Sequence, residues 1–223
     1  MKHPRVLHLG IRPIGAPTNS GLTLGSLFGD WPDDALLQLC GRRYEPDPDH
    51  NVILTPPSVA PVDGLVRAVM GRSLRPGVTD GLNNAVGRRG HRVPIRLRAR
   101  LAASVVNDIG PVHLPRDLLR RIDEFQPEVI HTLLGGVRAM RLATALAKRL
   151  DLPVVPHFMD DWMETLFDDG QLLGFARRIV VRCRDEVLEY TPRTLAIGED
   201  MACEYARTLG RPSVVVGLSL IHI

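Results

Sequence analysis

Short hydrophobic runs alternate with longer amphipathic segments along most of the chain. The hydrophobic runs predict buried strands at residues 5–9, 35–40, 51–54, 128–132, 153–157, 194–197 and 213–216. The amphipathic segments predict helices at residues 22–28, 62–70, 94–106, 115–125, 136–150, 172–189 and 199–209. Strands separated by helices predict an α/β, Rossmann-like fold, in which a mainly parallel sheet carries helices on both faces. Ligands of such sheets bind at the carboxyl ends of the strands.

The opening loop, from Gly10 to Gly21, joins the first predicted strand to the first predicted helix, for which Asn19 or Ser20 is the expected cap. Its glycines, Gly10, Gly15 and Gly21, match neither the G-x-G-x-x-G dinucleotide fingerprint nor a P-loop. A strand, loop and helix of this kind still direct backbone N–H groups and a helix dipole at one point, which suits a phosphate or another anion. The alternative is a surface loop whose glycines only relieve backbone strain.

Polar side chains follow three predicted strands directly. Arg12 lies in the opening loop, and His131 lies at the end of the fourth strand. The fifth strand ends at His157 and is followed by Asp160 and Asp161. A histidine at such a position is a general base, an anion donor when protonated, or a residue that closes the strand with a hydrogen bond. The two carboxylates suit sugar hydroxyls, or else cap the short helix predicted after them.

The composition describes an ordinary globular chain of 223 residues, with 44% hydrophobic residues and a net charge of +3. Its three cysteines are far apart in the sequence, which predicts reduced thiols and neither a disulfide framework nor a metal site. We find no secretion signal and no apolar run long enough to span a membrane. These features predict a cytoplasmic protein.

A basic segment without acidic residues lies between Asp80 and Asp108. Arg92, Arg96 and Arg100 are the candidate contacts of this segment with an anionic membrane surface, which would make the protein peripheral on the inner face of the membrane. The alternative is a solvated face of a packed helix. Nucleic acid is not an expected partner, because no aromatic residue is interleaved with these arginines.

The order of the segments RVLHLG, the glycine loop, PEVIHT, PVVPHFMDDW and TLAIGEDMACEYARTLG resembles a known family. It is similar to the N-terminal domain of retaining glycosyltransferases of the family 4 type, which have the GT-B fold. The resemblance covers nearly the whole chain. It implies transfer of a sugar from a nucleotide diphosphate sugar, the co-substrate, to a sugar, glycan or lipid-linked acceptor, with no bound cofactor.

The resemblance also implies roles for particular residues. The donor diphosphate and the reaction centre would face five residues of the opening loop, Gly10, Gly15, Asn19, Ser20 and Gly21. His131 would be catalytic, at a strand end where the family often carries H-x-H, although here Leu133 replaces the second histidine. The acceptor side would be lined by Arg12, His157, Asp160 and Asp161.

Family 4 enzymes also need a second Rossmann-like domain, which grips the nucleotide of the donor through a Glu-x7-Glu pattern. The sequence predicts one acceptor-side domain at residues 1–217, followed by a tail at 218–223 that looks like non-native read-through. We therefore expect a truncated gene product that is inactive by itself. Two other classes stay open, another GT-B enzyme such as a nucleotide-sugar epimerase, and a non-catalytic Rossmann-like binding domain. A complete reading frame with the Glu-x7-Glu pattern would favour the transferase.

Overall fold

The structure, a computed structural model, describes residues 3–41, 51–60, 105–160, 166 and 174–216. In these residues the strands are β1 (Val6–Leu9), β2 (Leu36–Cys40), β3 (Val52–Leu54), β4 (Val129–Thr132), β5 (Val154–Phe158), β6 (Thr194–Ala196) and β7 (Ser213–Val215). The helices are α1 (Asn19–Phe28), α2 (Arg116–Phe125), α3 (Val137–Leu150), α4 (Phe175–Leu188) and α5 (Glu199–Leu209). Short 3₁₀ turns lie at Asp33–Ala35 and Pro57–Val59.

All strand pairs in the described part of the chain are parallel, and they form one sheet in the order β3-β2-β1-β4-β5-β6-β7. The chain therefore starts near the middle of the sheet, winds outward to β3, and returns to build the other half from β4. The opening loop follows the central strand β1 and is flanked by the ends of β2 and β4. A mainly parallel Rossmann-like sheet was predicted from the sequence, and the structure confirms it.

Helices cover both faces of the sheet. On one face, residues such as Leu7, Ile130 and Phe158 belong to a large buried core. Helices α2 to α5 add to that core the side chains of Leu118, Ile122, Met140, Leu146, Val180, Val187 and Tyr205. On the other face, Val6 and Leu36 pack against Leu24 and Phe28 of α1. Because both faces of the central strands are buried, apolar residues occupy both sides of these strands, which is why the sequence shows them clearly.

The start of α1 differs from the prediction. The helix begins at Asn19, three residues before the expected start, and its cap is Thr18 rather than Asn19 or Ser20. Thr18 has extended backbone angles, and its hydroxyl oxygen accepts the N–H of Gly21 at 3.2 Å. Gly21 concealed this first turn, because glycine is a poor helix former. A side chain there would place its Cβ 2.3 Å from the carbonyl oxygen of Ala16, so the turn requires glycine.

Several predicted features lie outside the described residues. They are the predicted helix at 62–70, most of the predicted helix at 94–106 with Arg92, Arg96 and Arg100, the residue Asp161, and the proposed tail at 218–223. Residues 105–108 are helical, so the helix predicted to end at 106 continues two residues further. Within the described ranges, no helix is both long enough and apolar enough to span a membrane.

Candidate functional site

The opening loop lies over the carboxyl edge of the sheet. Its residue Ile11 accepts the N–H of Gly41, at the end of β2, with an N–O distance of 3.1 Å. On the other side, the terminal methyl group of Ile11 lies 3.4 Å from the position that a Cβ of Gly135, after β4, would occupy. Ile11 is nevertheless 64% exposed. The loop therefore spans the ends of β2, β1 and β4 and presents its outer surface to solvent.

Hydrogen bonds hold the loop in a folded-back shape. The N–H of Gly10 is bonded to Leu39 in β2 at 3.1 Å, and the N–H of Gly15 is bonded to the carbonyl oxygen of Gly21 at 3.0 Å. Gly15 has a φ of +80°, a backbone conformation that favours glycine. The side-chain oxygen of Gln38 accepts the N–H of Ile14 at 2.8 Å. These contacts bring the loop back to the N-terminus of α1.

The N-terminus of α1 is an electrostatically favourable place for an anion. The first N–H groups of a helix have no acceptor within the helix, and the helix dipole adds partial positive charge there. Thr18 satisfies the N–H of Gly21, while Asn19 and Ser20 lie in the first turn. The sequence of α1, NSGLTLGSLF, contains no charged residue, and no carboxylate of its first turn competes for this position.

Removal of the Thr18 hydroxyl tests this cap. We expect Thr18→Ala to lower the free energy of unfolding by about 1 kcal/mol, because the N–H of Gly21 loses its acceptor. Ser26→Ala is the matched control in the same helix, since the Ser26 hydroxyl is exposed and donates only to the carbonyl oxygen of Leu22. Its effect should stay within about 0.5 kcal/mol. Urea denaturation measures both, and equal losses would contradict the assignment of the cap.

Three buried histidines lie beneath the loop, on the face of the sheet that α1 covers. This histidine cluster consists of His8 on β1, His131 on β4 and His157 on β5, which are at most 3% exposed. The Nδ1 atoms of His8 and His131 are 2.9 Å apart and share a hydrogen bond. The rings of His131 and His157 meet edge to face with centroids 5.6 Å apart, and Phe28 packs against His131 in the same way at 5.1 Å.

Burial makes all three histidines neutral near pH 7. Burial and, to a smaller extent, the proximity of His157 lower the pKa of His8 from 6.5 to about 3, and burial lowers the pKa of His157 to about 4. The pKa of His131 is also lowered well below its usual value, by burial first and then by the two other histidines. A neutral imidazole has one N–H donor and one acceptor nitrogen. The cluster therefore acts as a set of hydrogen-bonding groups and not as a positive charge.

The candidate site residues from the sequence divide into a buried and an exposed group. His131 and His157 are brought together in the histidine cluster, where solvent does not reach their rings. Arg12 and Asp160 are exposed, and the backbone oxygen of Asp160 accepts the hydroxyl of Tyr205 at 3.4 Å. The predicted roles of these residues stay predictions.

Sequence reasoning missed His8 and Gln38, which lie side by side in the parallel register of β1 and β2. His8 lies within a short, mainly apolar run, and this local pattern predicts only a strand residue. A signal was present, because three of the predicted strands contain a histidine: RVLHL, EVIHT and PVVPH. Two of these strands, β1 and β4, place their histidines directly opposite each other.

Sequence reasoning also missed Asp108, which caps α3. Its carboxylate accepts the N–H of Val137 at 2.9 Å and that of Arg138 at 3.3 Å. Burial raises the pKa of Asp108, although the two N–H groups and the nearby guanidinium groups of Arg138 and Arg141 oppose that shift. The N-terminus of α3, at the end of β4, is thus already occupied by a carboxylate of the chain itself. Gly136 allows this approach, because a Cβ there would lie 2.9 Å from an Asp108 oxygen.

An all-parallel sheet with helices on both faces, and with a glycine-containing loop over its central strand end, defines a Rossmann-like domain of the kind found in GT-B enzymes. The family model described as glycosyl transferase 4-like domain matches residues 50–218, which is more than half of the chain. The chain belongs to this glycosyltransferase family. The matched segment includes β3 to β7 but not the opening loop. No curated protein matches the chain.

The described residues contain no group of three or more His, Cys, Asp or Glu side chains arranged to hold a metal ion. The histidine cluster is no exception, because the nitrogens of His8 and His131 that face each other are already joined by a hydrogen bond.

Proposed function

We propose that this chain is the acceptor-side domain of a retaining glycosyltransferase that moves a sugar from a nucleotide diphosphate sugar to a sugar, glycan or lipid-linked acceptor. The family supports the transferase class. The substrate classes and the retaining outcome are part of the proposal, as is a second domain that would hold most of the nucleotide. The observation that carries the proposal is the junction of the opening loop with the N-terminus of α1, over the central strand end.

The chemistry of this junction suits the leaving diphosphate. Negative charge grows on the diphosphate as its bond to the sugar breaks, and preorganised N–H groups stabilise such charge without further reorganisation. In our proposal, the N–H group of Ser20 and the dipole of α1 face the diphosphate, while the N–H of Gly21 stays bonded to Thr18. A Cβ at Gly15 would meet no atom within 4 Å, so glycine there keeps a side chain away from the path of the diphosphate. In a retaining transfer, the acceptor must approach from the same side of the sugar, and the exposed side chains of Arg12 and Asp160 are our candidates for holding it.

His131 can take part in the proposed reaction only if its buried ring becomes accessible. Its Nε2 atom is buried and has no hydrogen-bond partner among the described residues, and its ring is 3% exposed. Direct contact of His131 with a substrate therefore requires a conformation in which the opening loop or α1 uncovers the ring. Without such a movement, His131 acts on the site only through the groups that pack around it.

A charge placed in the first turn of α1 tests the junction. We expect Ser20→Glu to weaken binding of a nucleotide diphosphate sugar at least tenfold, because a carboxylate would occupy the position proposed for the diphosphate. The same change should keep or raise the free energy of unfolding, since an acidic residue in the first turn interacts favourably with the helix dipole. Binding is measured by NMR titration of the labelled 223-residue chain with uridine and guanosine diphosphate sugars, and with inorganic pyrophosphate as the anion alone.

Ser26→Glu is the control, because it adds the same charge to the exposed side of α1, in the last turn. It should leave binding unchanged while lowering stability slightly, by repulsion from the negative end of the helix dipole. Opposite effects of Ser20→Glu on binding and on stability would support the junction as the anion site. Equal binding by both variants would exclude the junction as the anion site. Chemical-shift changes in the wild type that occur only outside residues 10–21 would exclude it as well.

A further inference from the structure

His8 connects the two parts of the candidate site. On one side of its ring, Nδ1 is hydrogen-bonded to Nδ1 of His131 at 2.9 Å. On the other side, Nε2 lies 2.5 Å from the position that a Cβ of Gly10 would occupy, at the first residue of the opening loop. One fully buried imidazole therefore contacts both the loop and the end of β4.

The bond between His8 and His131 fixes the protons of both rings. Two facing Nδ1 atoms need one donor and one acceptor, so one ring carries its proton on Nδ1 and the other, when neutral, on Nε2. The contact with Gly10 decides between the two arrangements. One glycine hydrogen takes the direction of this Cβ and so comes close to Nε2 of His8, a proximity that suits a lone pair better than an N–H group. This contact favours the arrangement in which His8 donates from Nδ1 and His131 carries its proton on Nε2.

Gln38 extends this arrangement to a second point of the loop. It lies opposite His8 in the register of β1 and β2, and His131 lies opposite His8 on β4. The side-chain oxygen of Gln38 accepts the N–H of Ile14 at 2.8 Å. We call these three residues, Gln38, His8 and His131, the polar row. The polar row runs across three strands beneath the loop and meets it at Gly10 and at Ile14.

We propose that His8 is a positioning residue, which sets His131 in the tautomer with the proton on Nε2 and holds the opening loop over the strand ends. The role of His8 in sugar transfer rests on the proposed function, in which the opening loop faces the donor. The tautomers and the loop contacts do not depend on it, and they are measured on the chain without any substrate.

The test uses two substitutions that separate the two tasks of His8. In His8→Asn the side-chain amide group retains a donor near the position of Nδ1 but no longer reaches Gly10. In His8→Leu both contacts are lost. His157→Leu is the matched control, because it removes a buried histidine of the cluster whose ring nitrogens have no hydrogen-bond partner among the described residues. Ring ¹⁵N chemical shifts report the tautomer of each histidine, and amide hydrogen exchange reports the loop.

In the wild type we expect the proton on Nδ1 of His8 and on Nε2 of His131. His8→Asn and His157→Leu should preserve the tautomer of His131, whereas His8→Leu should give a mixture of tautomers. Exchange of the Gly10 and Ile14 amides should be at least tenfold faster in both His8 variants than in the wild type, relative to amides in α3, and unchanged in His157→Leu.

The proposal would be overturned by the same tautomer for both rings in the wild type, or by the reverse assignment with the proton on Nε2 of His8 and on Nδ1 of His131. This measurement needs no variant to fold. Loop exchange that stays at the wild-type rate in both folded His8 variants would overturn it as well. If the tautomers and exchange rates agree with the proposal but nucleotide sugars do not bind, the positioning role stands and the proposed function fails.

Discussion

Acidification from about pH 7 to about pH 4.5 is expected to unfold the domain, because the folded state keeps its three clustered histidines neutral. In the unfolded chain each of them binds a proton with a pKa near 6.5, whereas burial lowers the folded-state pKa to about 3 for His8 and to about 4 for His157, and that of His131 well below 6.5. The contribution of these groups to stability is therefore fully present above pH 6.5. It is lost as the pH falls from 6.5 towards the folded-state values.

The size of this effect follows from the number of protons taken up on unfolding. Each histidine contributes a slope of about 1.4 kcal/mol per pH unit in this range, so three give about 4 kcal/mol per unit. Two pH units would remove about 8 kcal/mol, which is comparable to the whole stability of an ordinary domain. Asp108 opposes the trend, because its raised folded-state pKa means that the folded protein binds that proton first. One carboxyl group does not offset three imidazoles.

Urea denaturation at a series of pH values measures how steeply the free energy of unfolding changes with pH. His157→Leu should reduce this slope by about a third, because two of the three histidines remain. The control is His113→Gln, since His113 is exposed and outside the cluster. This variant should follow the wild type at every pH. A free energy of unfolding that is the same at pH 7 and pH 5 would contradict the neutral, buried state of the cluster.

Gly136→Ala is expected to lower the free energy of unfolding by about 2 to 4 kcal/mol. Gly136 caps α3 with a φ of +157° and a ψ of 176°, a conformation that is essentially restricted to glycine. A methyl group there would also lie 2.9 Å from one carboxylate oxygen of Asp108 and 3.1 Å from the other. The variant must therefore strain the backbone or displace the carboxylate that caps the helix.

Gly198→Ala is a closely matched control. Gly198 also caps a helix that follows a strand, but its φ is −153° and a Cβ there would meet no atom within 4 Å. We expect its effect to stay within about 0.5 kcal/mol. Thermal or urea unfolding compares the two variants directly. Similar losses at both positions would show that the contact with Asp108 does not determine the requirement for glycine at Gly136.

The sequence predicted the sheet well because both of its faces are buried. Residues 5–9 and 128–132 each contain an apolar pair, Val6–Leu7 and Val129–Ile130, and the observed strands begin and end within one residue of the predicted limits. Helix α5 has the predicted limits, since acidic residues open it and Gly210 ends it. The predicted start of α1 was wrong because the low helix propensity of Gly21 does not indicate a helical turn. The Thr18 cap and the close contact with Ala16 nevertheless stabilise that turn.

The candidate site was less predictable, because its contacts join residues far apart in the sequence. The bond between His8 and His131 connects positions 123 residues apart, and the cap from Asp108 to Val137 connects positions 29 residues apart. Local sequence patterns identified His131 and His157 as strand-end residues, but such patterns do not show how far the two side chains are buried. Phe28 of α1 packs against the ring of His131, and that ring packs in turn against His157, so their burial depends on contacts between distant segments.

Asp108 gives the carboxyl edge a built-in asymmetry. The helices after β1 and β4 both point their N-termini at this edge, yet the second is filled by an acidic group that is covalently part of the protein and never diffuses away. A soluble anion would have to displace an internal competitor at that position. Loss of the Asp108 carboxylate would leave the N–H groups of Val137 and Arg138 without this acceptor, so one side chain decides whether the N-terminus of α3 is closed or open to an external partner.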